Sequence, residues 1–393
     1  MGSVQSFETP KRWGGRPGKI DAPLNKKLSE VKWGEYRYNN FFQLEPIKLK
    51  LTKADLEKNG NNPVYSSISD NNGIMGYTKV EPSFRVDEKT PFYVVFGDHT
   101  RCFNVAKTDF CVMDNVKVLR PLGNYTLREV FFIVSSWKKR IIDKGYARHW
   151  SIAKEVNIQL PTKDGEIDFE FMEDFVAELE AQRVAELEAY LTVTGLKDYV
   201  LTEEEEAALQ NLENLQWQEK YVTGEDGIFN VKNTKNILST EIIFNSGNTP
   251  YLCASAQNNS VASYVNYNEN LKDKGNCIFI GGKTFVVSYQ ESDFFSNDSH
   301  NLALYLKQEN KVTKKNQLFL STCIKASLEH KYSWGNSVSN RKIQKDKIEL
   351  PTKDGKIDFE YMETLISAIQ KLVIKDVVQY ADRKIDAAKD IIK

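Results

Sequence analysis

The sequence predicts an α+β protein in which two tandem mixed α/β modules are separated by long helices and related by a pseudo-twofold axis. Three observations predict it. A segment of the first half recurs in the second half, each half carries short apolar stretches broken by Gly and Asn, and a helical apolar spacing follows each copy of the repeat. The 393 residues suffice for two or three domains with buried cores.

The repeat is the strongest feature of the sequence. Residues 160–173 (LPTKDGEIDFEFME) recur as residues 350–363 (LPTKDGKIDFEYME), with 12 of 14 positions identical and an offset of 350 − 160 = 190. Weaker matches link residues 62–77 to residues 249–264 and residues 94–100 to residues 278–284, in the same order. The chain is therefore predicted to be a tandem duplication.

Each module is predicted to contain a sheet with one helix packed on it. Alternating apolar residues over 92–96 and 277–289, bounded by Gly and Asn, indicate strands. Residues 127–140 and 317–328 are predicted to form the packing helix of each module.

Each copy of LPTKDG is followed by a predicted long helix. In the second copy, apolar residues spaced three and four apart predict a helix over residues 357–393. The first is predicted to break near Gly195, and another to begin after Thr202, with Glu205 completing a capping box. We expect the long helices to form an antiparallel coiled coil; two separate helices, each packed on its own module, are the alternative.

These patterns divide the chain into five predicted parts. They are a basic N-terminal extension (1–30), a first module (31–159), a central helical spacer (160–226), a second module (227–349) and a C-terminal spacer helix (350–393). The net charge is −1, but residues 161–226 hold 4 basic and 19 acidic side chains (4 − 19 = −15). Residues 1–160 (26 − 17 = +9) and 227–349 (15 − 10 = +5) are basic, which favours a polyanionic partner; solvated surface is the alternative.

The composition predicts a cytoplasmic protein. The sequence lacks a run of about 18 apolar residues, so no transmembrane helix is predicted. The N-terminal residues lack the apolar core of a secretory signal. The five cysteines include no Cys-x-x-Cys pair, so we expect neither a disulfide framework nor a zinc site.

The sequence contains no recognisable catalytic constellation. Residues 275–284 (GNCIFIGGKT) resemble a phosphate-binding loop, but Cys277 stands where that motif needs glycine, so a hairpin turn is the better prediction. Methyltransferase motifs are missing, and the four histidines lack metal-ligand spacing. We therefore expect no catalytic residue, no metal site and no cofactor in this chain.

Two like modules on a helical spacer suit duplex DNA, because each can meet one half-site on the same face of the duplex. Polar, basic and aromatic residues in predicted turns are the candidates for contact with base edges and phosphates. They are Ser66, Ser67, Asn71, Asn72, His99, Arg101, Arg140, Arg148 and Trp150 in the first module, and Ser255, Gln257, Asn258, Lys283, Lys331, Trp334, Asn336 and Arg341 in the second.

The ordered duplication resembles the specificity (S) subunit of type I restriction-modification systems. Trp33-Gly34-Glu35-Tyr36 resembles the opening of a module of that family. Residues 71–77 (NNGIMGY), with their copy at 258–264, are similar to a segment of its target recognition domains. LPxxDGxIDFExME before a long helix resembles the module's exit into the spacer.

The resemblance implies a non-catalytic subunit with two target recognition domains, each recognising one half of an asymmetric bipartite site in double-stranded DNA. It implies that the helices dock two methyltransferase (M) subunits and that restriction (R) subunits complete the complex, with no membrane partner. S-adenosylmethionine, ATP and Mg would belong to the partner subunits.

Three alternatives stay open at this point. The subunit could serve a type IIB system, in which methylase and nuclease are fused in the partner. A two-headed protein–protein adaptor would bind without the steep salt dependence of phosphate contacts. An unrecognised nuclease using Glu329 and Lys331 would cleave DNA by itself with a metal ion.

Overall fold

The computed structural model describes residues 22–392, which form two compact units, 22–185 and 186–392. We call them the N-terminal unit and the C-terminal unit. Residues 1–21, most of the predicted basic extension, lie outside the described residues. The rest of that extension forms helix α1 (Ala22–Glu30), whose Leu24 packs into the core of the N-terminal unit.

The N-terminal unit is a mixed α/β fold. After α1 its elements are β1 (Lys32–Tyr36), β2 (Phe42–Glu45), β3 (Asn62–Tyr65), β4 (Ile74–Thr78), β5 (Tyr93–Gly97), β6 (Phe103–Ala106), β7 (Cys111–Val112), β8 (Val116–Pro121), α2 (Leu127–Arg140), α3 (Trp150–Ala153), β9 (Ile158–Lys163), β10 (Glu166–Ile167) and α4 (Phe169–Val193). Helix α4 continues past residue 185 into the C-terminal unit.

The C-terminal unit follows the same order of elements. They are α5 (Glu203–Gln210), β11 (Gln216–Tyr221), β12 (Phe229–Asn233), β13 (Thr249–Leu252), β14 (Val261–Val265), β15 (Cys277–Ile280), β16 (Val287–Gln290), β17 (Phe295–Ser296), β18 (Leu302–Leu306), α6 (Lys314–Leu328), α7 (Asn340–Ile343), β19 (Lys347–Lys353), β20 (Lys356–Ile357) and α8 (Phe359–Ile392).

The described sheets have the same topology in both units. The strand orders are β1-β9-β10, β2-β8-β5-β6 and β4-β3-β7 in the N-terminal unit, and β11-β19-β20, β12-β18-β15-β16 and β14-β13-β17 in the C-terminal unit. The register repeats as well, since Trp33 lies opposite Pro161 and Trp217 lies opposite Pro351. The prediction of two tandem mixed α/β modules is confirmed.

One buried helix organises each core. In the N-terminal unit, Trp137 of α2 is fully buried, stacks on Phe42 and Phe96, and donates its indole N–H to Ala153 O (2.8 Å). In the C-terminal unit, Leu320 and Ile324 of α6 are the fully buried counterparts.

The predicted helix boundaries follow from capping. Helix α2 has the predicted bounds, and it begins at Leu127 because Thr126 and Glu129 form a capping box there. Helix α6 begins three residues earlier than predicted, at Lys314, because Thr313 caps it. Helix α5 begins at Glu203 behind the predicted box of Thr202 and Glu205.

Strands occupy both ends of the stretch that the sequence assigns to the helical spacer. β9 and β10 lie at its start, and β11 (Gln216–Tyr221) lies near its end. β11 pairs with β19 as β1 pairs with β9, so the segment before residue 227 is part of the C-terminal sheet. The helical part of the spacer comprises α4 and α5.

The long helices begin in the cores and continue beyond them. Met172 and Phe175 of α4 belong to the N-terminal core, while Met362 and Leu365 of α8 belong to the C-terminal core. Farther along, Leu191 of α4 packs with Val378 and Ala381 of α8 within the C-terminal unit. No helix in the described residues combines the length and apolar character needed to cross a membrane.

Candidate nucleic-acid interface

Three loops meet in the N-terminal unit. Loop N1 (residues 66–73) joins β3 to β4, loop N2 (98–102) joins β5 to β6, and loop N3 (141–149) joins α2 to α3. Ser67 Oγ accepts a hydrogen bond from His99 N (2.9 Å), and His149 N donates to Asp98 O (2.9 Å). Loop N2 is therefore bonded to both of the others.

The equivalent loops meet in the C-terminal unit. They are C1 (residues 253–260), C2 (281–286) and C3 (329–339). Thr284 Oγ1 donates to Ala254 O (3.0 Å), and Val338 N donates to Gly282 O (3.0 Å). Loop C2 is also the β15–β16 turn, so the phosphate-loop-like residues form a hairpin as predicted.

Loops N1 and C1 share a left-handed turn. Asn71 and Asn72 have φ of 47° and 49°, and Asn258 and Asn259 have φ of 48° and 51°, a region in which Asn is one of the few tolerated side chains. The next residue is Gly73 in loop N1, where a Cβ would lie 2.4 Å from Asn104 Nδ2.

The amides of this turn bond the protein itself. Asn72 Nδ2 donates to Val105 O and Asn259 Nδ2 donates to Tyr289 O, both at 2.9 Å. Asn71 Nδ2 donates to Ile74 O (3.1 Å) and Asn258 Nδ2 to Val261 O (2.9 Å). The structure places the predicted DNA contacts Asn71, Asn72 and Asn258 in the frame of the loop.

The other predicted residues of loops N1 and C1 lie beside this frame. Ser66 N donates to Gly73 O (2.8 Å), which closes loop N1. Ser255 Oγ accepts a hydrogen bond from the backbone of Gln257 (3.2 Å). Gln257 is exposed.

The second loops hold the third loops in place through one residue. Arg101 and Phe285 have φ of 57° and 53° at the same position of the two hairpins. The Arg101 guanidinium donates to Ile141 O (3.0 Å) and pairs with Asp143, whereas Phe285 stacks on Tyr332 with ring centroids 5.1 Å apart. Phe285 was not among the predicted contacts, although the match of residues 94–100 to residues 278–284, extended by one position, already aligns it with Arg101.

Loop N3 is braced from inside and carries exposed groups at its tip. His149 is fully buried, and its Nε2 accepts a hydrogen bond from Lys144 N (3.0 Å). Tyr146 is 89% exposed and stacks on His99, with centroids 4.6 Å apart. Arg140, at the end of α2, is exposed.

Ion pairs flank loop N3. Arg148 Nη2 lies 3.4 Å from Asp114 Oδ2. The hydrogen bond from Lys50 is the largest of the interactions that hold the pKa of the Asp114 carboxyl below its ordinary value, and Arg148 adds to it. Arg148 keeps more than half of its side chain in solvent, so the pair leaves the guanidinium accessible.

Loop C3 is anchored by a buried carboxylate. Asp346 is 3% exposed, accepts a hydrogen bond from the Tyr332 hydroxyl and pairs with Lys331. Beyond them, Trp334 is 75% exposed, and Asn336 Oδ1 accepts a hydrogen bond from Lys342 Nζ (2.7 Å).

Two further predicted contacts lie around loop C3 and loop C2. Arg341 is exposed on α7. Lys283 Nζ lies 3.3 Å from Asp298 Oδ2. Burial works to raise the pKa of Asp298, but hydrogen bonds from His300 and Lys283 hold it below its ordinary value.

Trp150 lies apart from the exposed tips. Its ring packs against Trp137 and Phe96 in the core, and its backbone N donates to Asp98 Oδ1 (2.6 Å). This residue supports loop N2 from beneath. Tyr146, which was not a predicted contact, occupies the exposed position, and its adjacent glycine is the sequence signal that could have identified it.

The residues of the alternative nuclease site are engaged elsewhere. Lys331 pairs with Asp346, and Glu329 Oε2 lies 4.0 Å from Lys325 Nζ one helical turn away. Within residues 22–392, no cluster of three His, Cys, Asp or Glu side chains could hold a metal ion.

Comparison with known proteins identifies relatives over most of the chain. Residues 30–189 and 218–380 match the family model described as type I restriction modification DNA specificity domain. The specificity subunit S.BcgI of a type II restriction enzyme from Heyndrickxia coagulans is 21% identical over 354 residues, which cover 88% of this chain and 96% of that protein.

One solved structure shows a similar fold, and a second is a weaker match. The crystal structure of the S subunit of a type I restriction-modification system from M. genitalium has a TM-score of 0.52 and 15% identity over 95% of both chains. The structure of a further specificity subunit, from Thermoanaerobacter tengcongensis, has a TM-score of 0.30 and 13% identity over 89% of this chain and 91% of that chain.

Proposed function

The chain belongs to the type I restriction modification DNA specificity domain family, and from this membership we propose that each unit recognises one half of an asymmetric bipartite DNA site. The family assignment confirms the resemblance to a specificity subunit of a restriction-modification system. It also agrees with the prediction that this subunit is not catalytic and recognises DNA for the enzymatic subunits of the complex.

One observation carries the proposal. The two segments matched by the family model contain the same three loops in the same arrangement, but with different side chains at the tips. Loop N3 presents Tyr146 and Arg148, whereas loop C3 presents Trp334. Two equivalent surfaces with different chemistry suit two different short sequences, because base edges are distinguished by the donors, acceptors and apolar groups that face them.

The helices are proposed to dock the partner subunits. Exposed apolar residues follow one face of α8 at helical spacing: Ile369, Leu372, Val373, Val377 and Tyr380. We call them the α8 stripe. They lie opposite the buried face of α8 that contains Val378. An apolar face exposed in the subunit alone is what a permanent protein interface buries.

The proposed partners are two methyltransferase subunits on the helices, with restriction subunits completing the complex. S-adenosylmethionine, ATP and Mg would act in those partners. We also propose that the long helices pair as an antiparallel coiled coil, which would set the distance between the half-sites. The packing of Leu191 against Val378 supports this pairing.

A type IIB-like system is the second candidate. It is favoured by the likeness to the S.BcgI subunit of a type II restriction enzyme, which extends over 96% of that protein. The two candidates differ in their partners: a fused methylase–nuclease polypeptide would accompany the chain in a type IIB system, and separate subunits would accompany it in a type I system.

The decisive experiment is selection of DNA from a random duplex library by the tagged chain, recovered from its host with its bound partners. We expect two short enriched blocks at a fixed gap and a co-purifying methyltransferase, whose polypeptide composition decides between the two systems. Enrichment of one block alone would contradict the division of the site between the units. Absence of any enriched sequence, with partners present, would favour the protein–protein adaptor.

A further inference from the structure

Two aromatic side chains are exposed at the same place in the two units. Tyr146 lies at the tip of loop N3 and Trp334 at the tip of loop C3, and each is adjacent to a glycine, Gly145 or Gly335. Otherwise residues 141–149 (IIDKGYARH) and 329–339 (EHKYSWGNSVS) have little in common. We propose that Tyr146 and Trp334 contact bases of the recognised DNA, one in each half-site. This inference rests on the function proposed above.

Hydrogen bonds fix the backbone turn beside each of these two side chains. In loop N3, Gly145 N donates to Asp143 Oδ1 (2.8 Å), and the Tyr146 ring is fixed by its stack on His99. In loop C3, Ser333 N donates to Asn336 O (3.2 Å) and Asn336 N donates to Ser333 O (2.9 Å), which closes a two-residue turn around Trp334 and Gly335.

This bracing has a functional meaning. An aromatic side chain in water forgoes the burial that drives folding, so the exposure of one in each unit adds no stability to the subunit alone. The Tyr146 ring, held by its stack on His99, and the closed backbone turn that carries Trp334 lose less entropy when a ligand arrives. The geometry therefore suits contact with a ligand.

The surrounding charge favours nucleic acid as that ligand. Residues 138–149 contain five basic side chains and one acidic side chain (5 − 1 = +4), and residues 329–346, which include the Asp346 partner of Lys331, contain four and two (4 − 2 = +2). Basic side chains bind phosphates, while an aromatic ring can contact a thymine methyl group or a partly unstacked base step. The α8 stripe, by contrast, is the continuous apolar face expected of a protein interface.

The test uses the complex of the chain with its methyltransferase and a fluorescent duplex carrying the selected site. Tyr146→Ala and Trp334→Ala should each weaken binding by about tenfold or more. The slope of log affinity against log salt should stay unchanged, because no phosphate contact is removed. Tyr146→Phe and Trp334→Phe should retain most of the affinity, since the aromatic face is kept.

The matched controls are Tyr77 on β4 and Tyr264 on β14, two tyrosines at equivalent positions of the two units. Their side chains are 45% and 40% exposed. Tyr77→Ala and Tyr264→Ala should bind as the wild type does. Each tip variant should also lose discrimination in one half-site only, Tyr146→Ala in one and Trp334→Ala in the other.

Two results would overturn the assignment while leaving the proposed function intact. One is affinity within twofold of the wild type for both alanine variants. The other is loss of the methyltransferase from the purified complex, which would make the tips contacts for a protein. If the wild-type complex selects no DNA sequence at all, the proposed function is wrong. The inference about Tyr146 and Trp334 is then rejected with it.

Discussion

At the scale of single residues, the most consequential group is the buried carboxylate of Asp346. It accepts a hydrogen bond from the Tyr332 hydroxyl and pairs with Lys331. These contacts link the first residues of loop C3 to the residue that precedes β19. A buried carboxylate is stable only when its oxygens are bonded. The conformation of loop C3, with Trp334 at its exposed tip, therefore depends on the hydrogen bond between the buried side chains of Tyr332 and Asp346.

We predict that Tyr332→Phe destabilises the C-terminal unit by about 2 kcal/mol at neutral pH, because a hydrogen bond to a buried charged group is lost. Urea unfolding monitored by circular dichroism measures this change. Tyr221→Phe is the control, since Tyr221 is 43% exposed. Equal stability of Tyr332→Phe and wild type would show that Asp346 does not need this donor.

The stability that the Tyr332 hydroxyl contributes depends on pH. Burial and the adjacent Asp346 raise the pKa of the Tyr332 phenol above its ordinary value of 10. The protonated phenol is thus favoured in the folded state, and its contribution is fully present below about pH 10. The contribution is lost as pH rises beyond that value, so the deficit of Tyr332→Phe should shrink in alkaline solution.

Residue identity alone could not separate DNA contacts from loop framework. Asn71, Asn72 and Asn258 have the right chemistry for base edges, yet their amides bond backbone carbonyls of their own unit. An Asn pair in a turn carries the same sequence signal for both roles. Only the left-handed φ angles and the bonds across to β6 and β16 distinguish them.

At the scale of elements, periodicity and capping predicted the helices well. The starts of α2 and α5 could be predicted because each is marked by a Thr–x–x–Glu capping box, which involves residues only three positions apart. Strand β11 was not recognised as the copy of β1, although Trp217 and Glu219 repeat Trp33 and Glu35 at the offset that also links residues 94–100 to residues 278–284 (217 − 33 = 278 − 94 = 184). Its position is decided by pairing with β19, more than 120 residues away, which a local pattern does not encode.

The α8 stripe yields a prediction at this scale. Val373→Glu should leave the fold intact but reduce co-purification of the methyltransferase at least tenfold, because a charge would be buried in an apolar interface. Val373 is 73% exposed in the chain alone, so the change costs little before assembly. Lys375→Glu, exposed on the same helix outside the stripe, is the control. Unchanged recovery with Val373→Glu would place the docking surface elsewhere.

At the scale of the whole molecule, the duplication could be predicted from the sequence because residues 160–173 and 350–363 are nearly identical. The sequence matches also include the first and second loops, but not the third loops N3 and C3. Residues 141–149 and 329–339 differ in length as well as in composition, so the equivalence of these two loops could not be predicted. Their correspondence follows from the shared sheets and from the bonds that join each second loop to its third loop.

Replacement of residues 31–159 by the corresponding module of another family member should change one half-site of the recognised DNA and leave the other as it was. The reason is that each set of three loops lies within a single unit. Library selection with the hybrid complex is the measurement, and a replacement of residues 227–349 is the reciprocal control. A change in both half-sites would contradict independent recognition.

The repeated hairpin that ends each module has a genetic consequence. Because residues 160–173 and 350–363 are nearly identical, the coding sequence contains two similar stretches where unequal crossing-over can occur in frame. Recombination between them would join residues 1–159 directly to residues 350–393, a chain of 393 − 190 = 203 residues with one set of loops and one long helix. Two copies of that chain would present identical surfaces, and the sequence they select would become a palindrome.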